Sequence, residues 1–379
     1  MPAYPKLRWL ACVAAILLTA CGGGGGSGDD VGAGGGAPGL GSGTAMSYAV
    51  TNLVSDSGAG NPNSSAHTDA HLVNPWGVVF NPSAFVWVAN NGTSSSTLYD
   101  GNGVPQTLVV AIPPGNAGTA RPTGIVFNGN SQSFKVTQGS VSGGGIFIFA
   151  GEAGTISGWS PTVNSTNAIT AVNDGAAGAV YKGLAIASRG GSDFLYATDF
   201  RHATVNVFDA TFARVSAAGA FTDSALPAGF APYGIQTLNG LIYVAYARQD
   251  ASATNAVAGA GLGAVDVFDT AGTLMQRLIP AGGALNAPWG MAMAPANFGP
   301  LSNALLVANS GDGKINAFNP TNGAFLGTLS MSDGNPVVVD GLKGLAFGND
   351  RNSQPSNTLF FAAGPAGGTH GLYGRIDSH

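Results

Sequence analysis

Five histidines and a single glutamate bound the acid–base and metal chemistry open to this chain of 379 residues. His67, Asp69 and His71 stand at alternate positions of one short stretch, and an extended backbone would project all three to one side. Asp199, Arg201 and His202 form a second group, His370 stands by itself, and Glu152 is the lone glutamate. Imidazole nitrogens and a carboxylate hold Zn²⁺ at about 2.0–2.2 Å, and an ion with an open position activates water for hydrolysis or elimination. The candidate metal ligands are therefore His67, Asp69, His71, Asp199, His202 and His370, for a divalent ion such as Zn²⁺ or Ca²⁺. The candidate catalytic groups are His71, His202 and Glu152. Hydrogen bonding within long surface loops accounts for the same residues without an ion, and polar residues belong in loops in any case.

Other chemistries find less support. Cys12 and Cys21 lie within the first 21 residues, so the body of the chain has neither thiol nor disulfide. No Gly-x-Ser-x-Gly elbow is present. Gly143-Gly144-Gly145 and Gly311-Asp312-Gly313 precede no helix that would offer its amides to a phosphate. Asn309 and Asp312 would fit a Ca²⁺ shell, but the Asp-x-Asp-x-Asp loop is missing. Charged residues make up 9% of the chain and the net charge is −5, with no basic cluster after the first ten residues, which excludes a nucleic-acid partner.

The elements that must position these side chains are repeats. Six segments share an entry ending in glycine: Pro75-Trp76-Gly77, Pro122-Thr123-Gly124, Tyr181-Lys182-Gly183, Pro232-Tyr233-Gly234, Pro288-Trp289-Gly290 and Leu342-Lys343-Gly344. The glycines recur every 47 to 59 residues, a period suited to one four-stranded propeller blade with variable loops. Their expected role is close approach around a central axis, where a Cβ would clash. Second strands are expected at 85–89, 146–150, 194–197, 241–245, 304–308 and 359–363. Third strands are expected to end on Tyr99, Trp159, Phe208, Phe268, Phe318 and Tyr373, aromatics suited to filling the space between blades. The sixth repeat stops after its third strand, while 47–54 (SYAVTNLV) is an orphan strand before the first. Pairing the two closes a ring and removes an exposed edge. The fold expected is all-β: a six-bladed β-propeller of four-stranded blades over residues 45–379, closed by the N-terminal strand completing the last blade.

The pattern Pro-x-Gly followed by Leu-x-Val-Ala-Asn-x-Gly-x-Gly-x-Ile-x-x-Phe, written at 288–318, resembles the NHL-type repeat. From Tyr48 to Ile376 the chain also resembles an exported bacterial family of such propellers with no assigned function. Some NHL-type lyases carry a metal on the axis, which the resemblance extends to the histidines above. In such a fold the loops entering strand one and joining strands two and three open on one face, around an axial funnel. Four of the five histidines and Glu152 map to that face. So does the long segment 249–262, either a lid, a recognition loop or a disordered insertion.

Residues 1–20 read as an export signal: Lys6 and Arg8, then the apolar run LACVAAILL at 10–18, too short to span a bilayer. The segment Leu18-Thr19-Ala20-Cys21 resembles the bacterial lipobox, which implies a lipid on Cys21; Gly22 after it implies the outer membrane. Residues 21–44 would then be a lipidated cysteine and Gly-rich tether. The expected protein is an envelope-anchored lipoprotein, held to the membrane by that lipid and facing the periplasm or exterior. Its funnel would bind a protein partner or a small or glycan-like ligand. The alternative is a metal-dependent hydrolase or lyase. With one glutamate and four loop histidines the inventory for catalysis is narrow.

Overall fold

Each inner strand carries a kink that its sequence dictates. At all six entries the pairing of strand one with strand two slips beside the glycine, and the residue before the glycine is left out of the ladder. A β-bulge of this kind re-aims one side chain. Here it takes Trp76, Thr123, Lys182, Tyr233, Trp289 and Lys343 out of the sheet.

The computed structural model describes residues 47–56 and 61–379; the signal segment, Cys21 and the Gly-rich tether lie outside the described residues. Blade one is built from Pro75–Phe80, Val86–Asn90, Ser95–Tyr99 and Pro105–Ala111. Blade two has Pro122–Phe127, Phe147–Gly151, Thr155–Trp159 and Ile169–Asn173. Blade three has Tyr181–Arg189, Ser192–Asp199 and Thr204–Phe208. Its fourth strand is reduced to a bridge between Phe208 and Arg214 and a bond from Val215 N–H to the Val207 carbonyl. Blade four has Phe230–Leu238, Leu241–Arg248, Gly263–Phe268 and Leu274–Ile279, and blade five Pro288–Met293, Leu305–Asn309, Ile315–Phe318 and Phe325–Thr328.

Blade six combines Leu342–Phe347, Leu359–Ala363 and Leu372–Ser378 with the N-terminal strand Tyr48–Ser55, which pairs antiparallel with Leu372–Ser378. The expected closure is therefore present. The two-residue strand His67–Thr68 adds a parallel edge to it, which the sequence did not suggest. A second unforeseen feature is the hairpin Lys135–Gln138 and Val141–Gly144, inserted between the first two strands of blade two. It explains the longest repeat spacing.

Six glycines close the ring in sequence. A Cβ on Gly77 would lie 2.7 Å from the Thr123 carbonyl oxygen, one on Gly124 2.3 Å from the Leu184 nitrogen, and one on Gly234 2.0 Å from the Trp289 oxygen. On Gly290 it would meet the Lys343 oxygen at 2.2 Å, and on Gly344 the Trp76 oxygen at 2.3 Å, returning to blade one. Gly183 is looser, with nothing nearer than 3.1 Å. Each inner strand thus packs backbone to backbone on the next, as the repeat glycines required.

Outward of this ring, apolar clusters fill the wedges between neighbouring blades. The third-strand aromatics are buried there: Tyr99, Phe208 and Phe268 are at most 1% exposed. They are inter-blade packing and do not form a stacking surface. In blade six the register differs from expectation. Ile376 faces Leu359 as Phe318 faces Leu305, while Tyr373 lies nearer the start of its strand, opposite Ala362.

The glycine ring predicts a graded response to one methyl group. Gly234→Ala should destabilise the domain by about 3 kcal/mol, the upper range for forced overpacking, because only backbone stands in the way. Gly183→Ala should cost less than about 1 kcal/mol. Urea denaturation of the two variants tests the difference, and equal losses would contradict it.

Candidate functional site at the axial funnel

The bulged residues meet at the axis. Trp76 packs edge-on against Trp289 and Tyr233, with ring centroids 5.7 and 5.9 Å apart. The Trp289 indole N–H donates to the Lys182 carbonyl at 2.7 Å, tying blade five to blade three. These aromatics, with Phe200, Ala231, Ala247 and Ala287, form an apolar plug. On the far side the channel narrows to a space of about 20 Å³ between the glycine-bearing strands.

On the near side the plug is the floor of a cavity of about 380 Å³, lined by Asn74, Asn91, Arg121, Glu152, Lys182 and Lys343 among others. Strand-one entries contribute Asn74, Arg121 and Asp340; strand two-to-three loops contribute Asn91, Glu152, Asn255, Ser310 and Gly364. The two sets of loops therefore do open on one face. A second cavity of about 490 Å³ continues outward over blades two and three, sharing Arg121, Glu152 and Asn255 and adding Arg201.

Two lysines from opposite sides of the ring approach one indole ring. The Lys182 ammonium lies 5.3 Å and the Lys343 ammonium 5.0 Å from the Trp76 ring centroid, near enough for cation–π attraction. Lys182 is 2% exposed and ion-paired with Glu152. Glu152 also accepts from Asn91 Nδ2 at 3.3 Å, and Asn91 Oδ1 accepts from Asn74 Nδ2 at 3.0 Å, so a polar chain crosses blades one, two and three. Lys343, partly exposed to the funnel, makes no hydrogen bond or ion pair among the described residues. Burial, and then the positive charge of Lys182, push its ammonium down to about 8. Arg121 and Arg201, at the rim, also have no carboxylate partner among the described residues. The residues leading into the inner strands are strained. Asn74, Arg121 and Ala287 adopt left-handed φ of 47°, 47° and 46° immediately before a proline, a position biased toward extended backbone.

The histidines do something else. His71 Nδ1 pairs with Asp69 at 3.1 Å, His202 Nδ1 with Asp199 at 2.8 Å and His370 Nδ1 with Asp56 at 3.0 Å. Asp69 also accepts the His71 backbone N–H at 2.9 Å and the Tyr99 hydroxyl at 2.8 Å, so the stretch turns where an extended ligand strand was expected. His67 sits in the short edge strand instead. No group of three or more His, Cys, Asp or Glu able to hold a metal is gathered among the described residues. His67, Asp69, His71, Asp199, His202 and His370 are thus distributed among local contacts. Asp312 serves its own turn by accepting the Lys314 amide, and Asn309 braces the entry loop before strand one by accepting the Asn286 amide and donating to the Ala284 carbonyl. Of the candidate catalytic groups, Glu152 alone lies in the axial cavity.

Segment 249–262 is ordered, contrary to the simpler expectation. Asp250 Oδ1 accepts the amides of Thr254 and Asn255, Gln249 bridges to Ala256, and Asn255 and Ala256 reach the cavity wall. Lys182 and Lys343 were the cavity-lining residues that the sequence reasoning missed. They stood in the quoted entries as repeat punctuation; charged residues at a bulged position otherwise held by Trp, Thr and Tyr were the available signal.

Comparison with known proteins fits this picture of a propeller without an assigned ligand. An uncharacterised protein of Acanthamoeba polyphaga mimivirus is 34% identical over 322 residues, 83% of this chain and 77% of the viral one. The chain belongs to that family. A second uncharacterised protein of the same virus is 33% identical over 318 residues, covering 82% of both chains. No family model matches. Among solved structures, a structural-genomics protein of unknown function from Bacteroides thetaiotaomicron superposes with a TM-score of 0.55 at 11% identity, over 88% of this chain and 76% of its own. It shares the fold.

The Lys182–Glu152 pair gives a direct test of the site's electrostatics. Glu152→Ala strands a buried ammonium and should cost about 3 kcal/mol, whereas Glu152→Ala with Lys182→Met should recover most of the loss. Additive losses in a double-mutant cycle by chemical denaturation would show that the two side chains are not coupled.

Proposed function

We propose that this chain is an envelope-tethered binding protein whose axial funnel takes a small acidic ligand. One observation carries the ligand class. In a chain of net charge −5, the funnel presents Lys343, Arg121 and Arg201 without ion-paired carboxylates among the described residues, while Glu152 is occupied by Lys182 and Asp340 accepts the Ala366 amide at 2.8 Å. Three basic side chains, Arg121, Lys182 and Lys343, outnumber the carboxylates of Glu152 and Asp340 on the cavity wall, and a concave site with a positive excess focuses its field on anions. Asn74 and Asn91 on the wall suit hydroxyl or carbonyl groups, and the cavity size fits a sugar acid or a compound of similar bulk. The tethering half of the proposal rests on the sequence around Cys21 alone. Among the described residues no helix is long and apolar enough to cross a membrane.

Thermal unfolding of residues 45–379 with D-glucuronate and with D-glucose tests the ligand class. A ligand at a hundred times its Kd adds about 2.7 kcal/mol, a shift of several degrees. Glucuronate should give that shift, glucose should not, and Lys343→Met should abolish it; equal shifts with both sugars would end the acidic-ligand reading. For the anchor, expression of the full chain in an envelope-bearing bacterial host with labelled palmitate should label the protein, and Cys21→Ser should leave it unlabelled and released from the membrane fraction. Label persisting in Cys21→Ser would remove the lipid assignment.

A further inference from the structure

Binding an anion needs only a positive charge, and Arg121 at the rim already supplies one. The placement of Lys343 goes further. Its amine and a second cation, Lys182, both lie against the Trp76 ring, and among the described residues its side chain has no ion-pair or hydrogen-bond partner to hold its proton. It opens into a cavity large enough for a small molecule. A lysine kept in a desolvated pocket beside another cation is the recognised physical route to a nucleophilic amine. We propose that Lys343 captures small oxo acids as an imine at the propeller axis, an activity that rests on the acidic-ligand reading of the same cavity.

The step balances without a redox partner. The neutral Lys343 nitrogen attacks the carbonyl carbon and forms a C–N bond. The carbonyl C–O bond breaks, and both nitrogen protons leave with the oxygen as water. Arg121 lines the same cavity and offers a guanidinium for the carboxylate of the same molecule. The groups that set the amine's protonation are Lys182, Glu152 and Asp340. Burial is the largest influence, the Lys182 charge adds to it, and the two carboxylates oppose both, leaving the amine at about 8. A substantial fraction is therefore neutral near pH 7.5, where an ordinary lysine near 10.4 is almost wholly charged. Lys182, fixed by Glu152 and carrying its own charge, is a positioning residue for this chemistry.

Trapping tests it. Residues 45–379 are incubated with glyoxylate and cyanoborohydride, which reduces an imine to a stable carboxymethyl-lysine, and the modified sites are mapped by mass spectrometry. Only Lys135, Lys182, Lys314 and Lys343 occur among the described residues, so exposed Lys135 is an internal reference. At pH 7.5 Lys343 should be modified roughly tenfold faster than Lys135, its larger neutral fraction being partly offset by lower basicity. Lys182→Met should slow modification of Lys343 and move its rate profile to higher pH, a readout that loss of packing alone would not produce. Modification of Lys343 no faster than that of Lys135, or a pH profile unmoved in Lys182→Met, overturns the proposal. If trapping fails while glucuronate still raises the melting temperature, the funnel binds acids without reacting with them. Trapping without that shift would instead uphold the amine chemistry and reject the sugar-acid ligand class.

Discussion

Six backbones must pass one another around an axis with no room for a Cβ, and most of what distinguishes this molecule follows from that crowding. The glycines at 77, 124, 234, 290 and 344 stand within 2.7 Å of a neighbouring blade once a Cβ is imagined on them. Each of these strands slips its pairing beside the glycine, and so does the more loosely packed strand at Gly183. The bulge frees the preceding side chain from the sheet and turns it to the axis. Tight packing and the cavity floor are one event: the residue that lets the ring close sits directly after the residue turned to the axis.

What those six positions hold decides the character of the funnel. Trp76, Tyr233 and Trp289 seal the channel, so the protein presents a cup and not a pore. Lys182 and Lys343 arrive from blades three and six, on opposite sides of the ring, and the Trp76 ring lets them share a small space. Glu152 neutralises one of the two. The asymmetry between a paired and an unpaired lysine gives the cavity its net charge.

The fold was legible in the sequence because its cause is periodic. Gly77 through Gly344 repeat at blade spacing, the aromatics at 99, 159, 208, 268 and 318 repeat with them, and the orphan strand at 47–54 had only one place to go. The site was less legible because it depends on the exceptions to that period. Lys182 and Lys343 occupy consensus positions, where a repeat reading looks for similarity and passes over chemistry. The histidines attracted attention by type, yet His71, His202 and His370 were each answered by an Asp supplied by its own loop or blade. Glu152 was placed correctly because loop position, which the strand order fixes, was enough to put it on the axis. The hairpin at 135–144 showed only as one long glycine spacing, which a loop would explain equally, and the reduced outer strand of blade three leaves the glycine pattern unchanged.

The pairing of Tyr48–Ser55 with Leu372–Ser378 also has a consequence in time. More than 300 residues separate the partners, and synthesis delivers the first strand long before the last. Until Leu372 appears, the opening strand is an unsatisfied edge and blade six does not exist. The loop entropy of the late joint grows only logarithmically with its length, so distance alone adds little to its cost. Order of arrival matters more: five blades can assemble from local contacts as they emerge, but the circle itself is a single terminal step. The funnel spans blades one to six, so the chain can hold no ligand there until its end has folded back to meet its beginning.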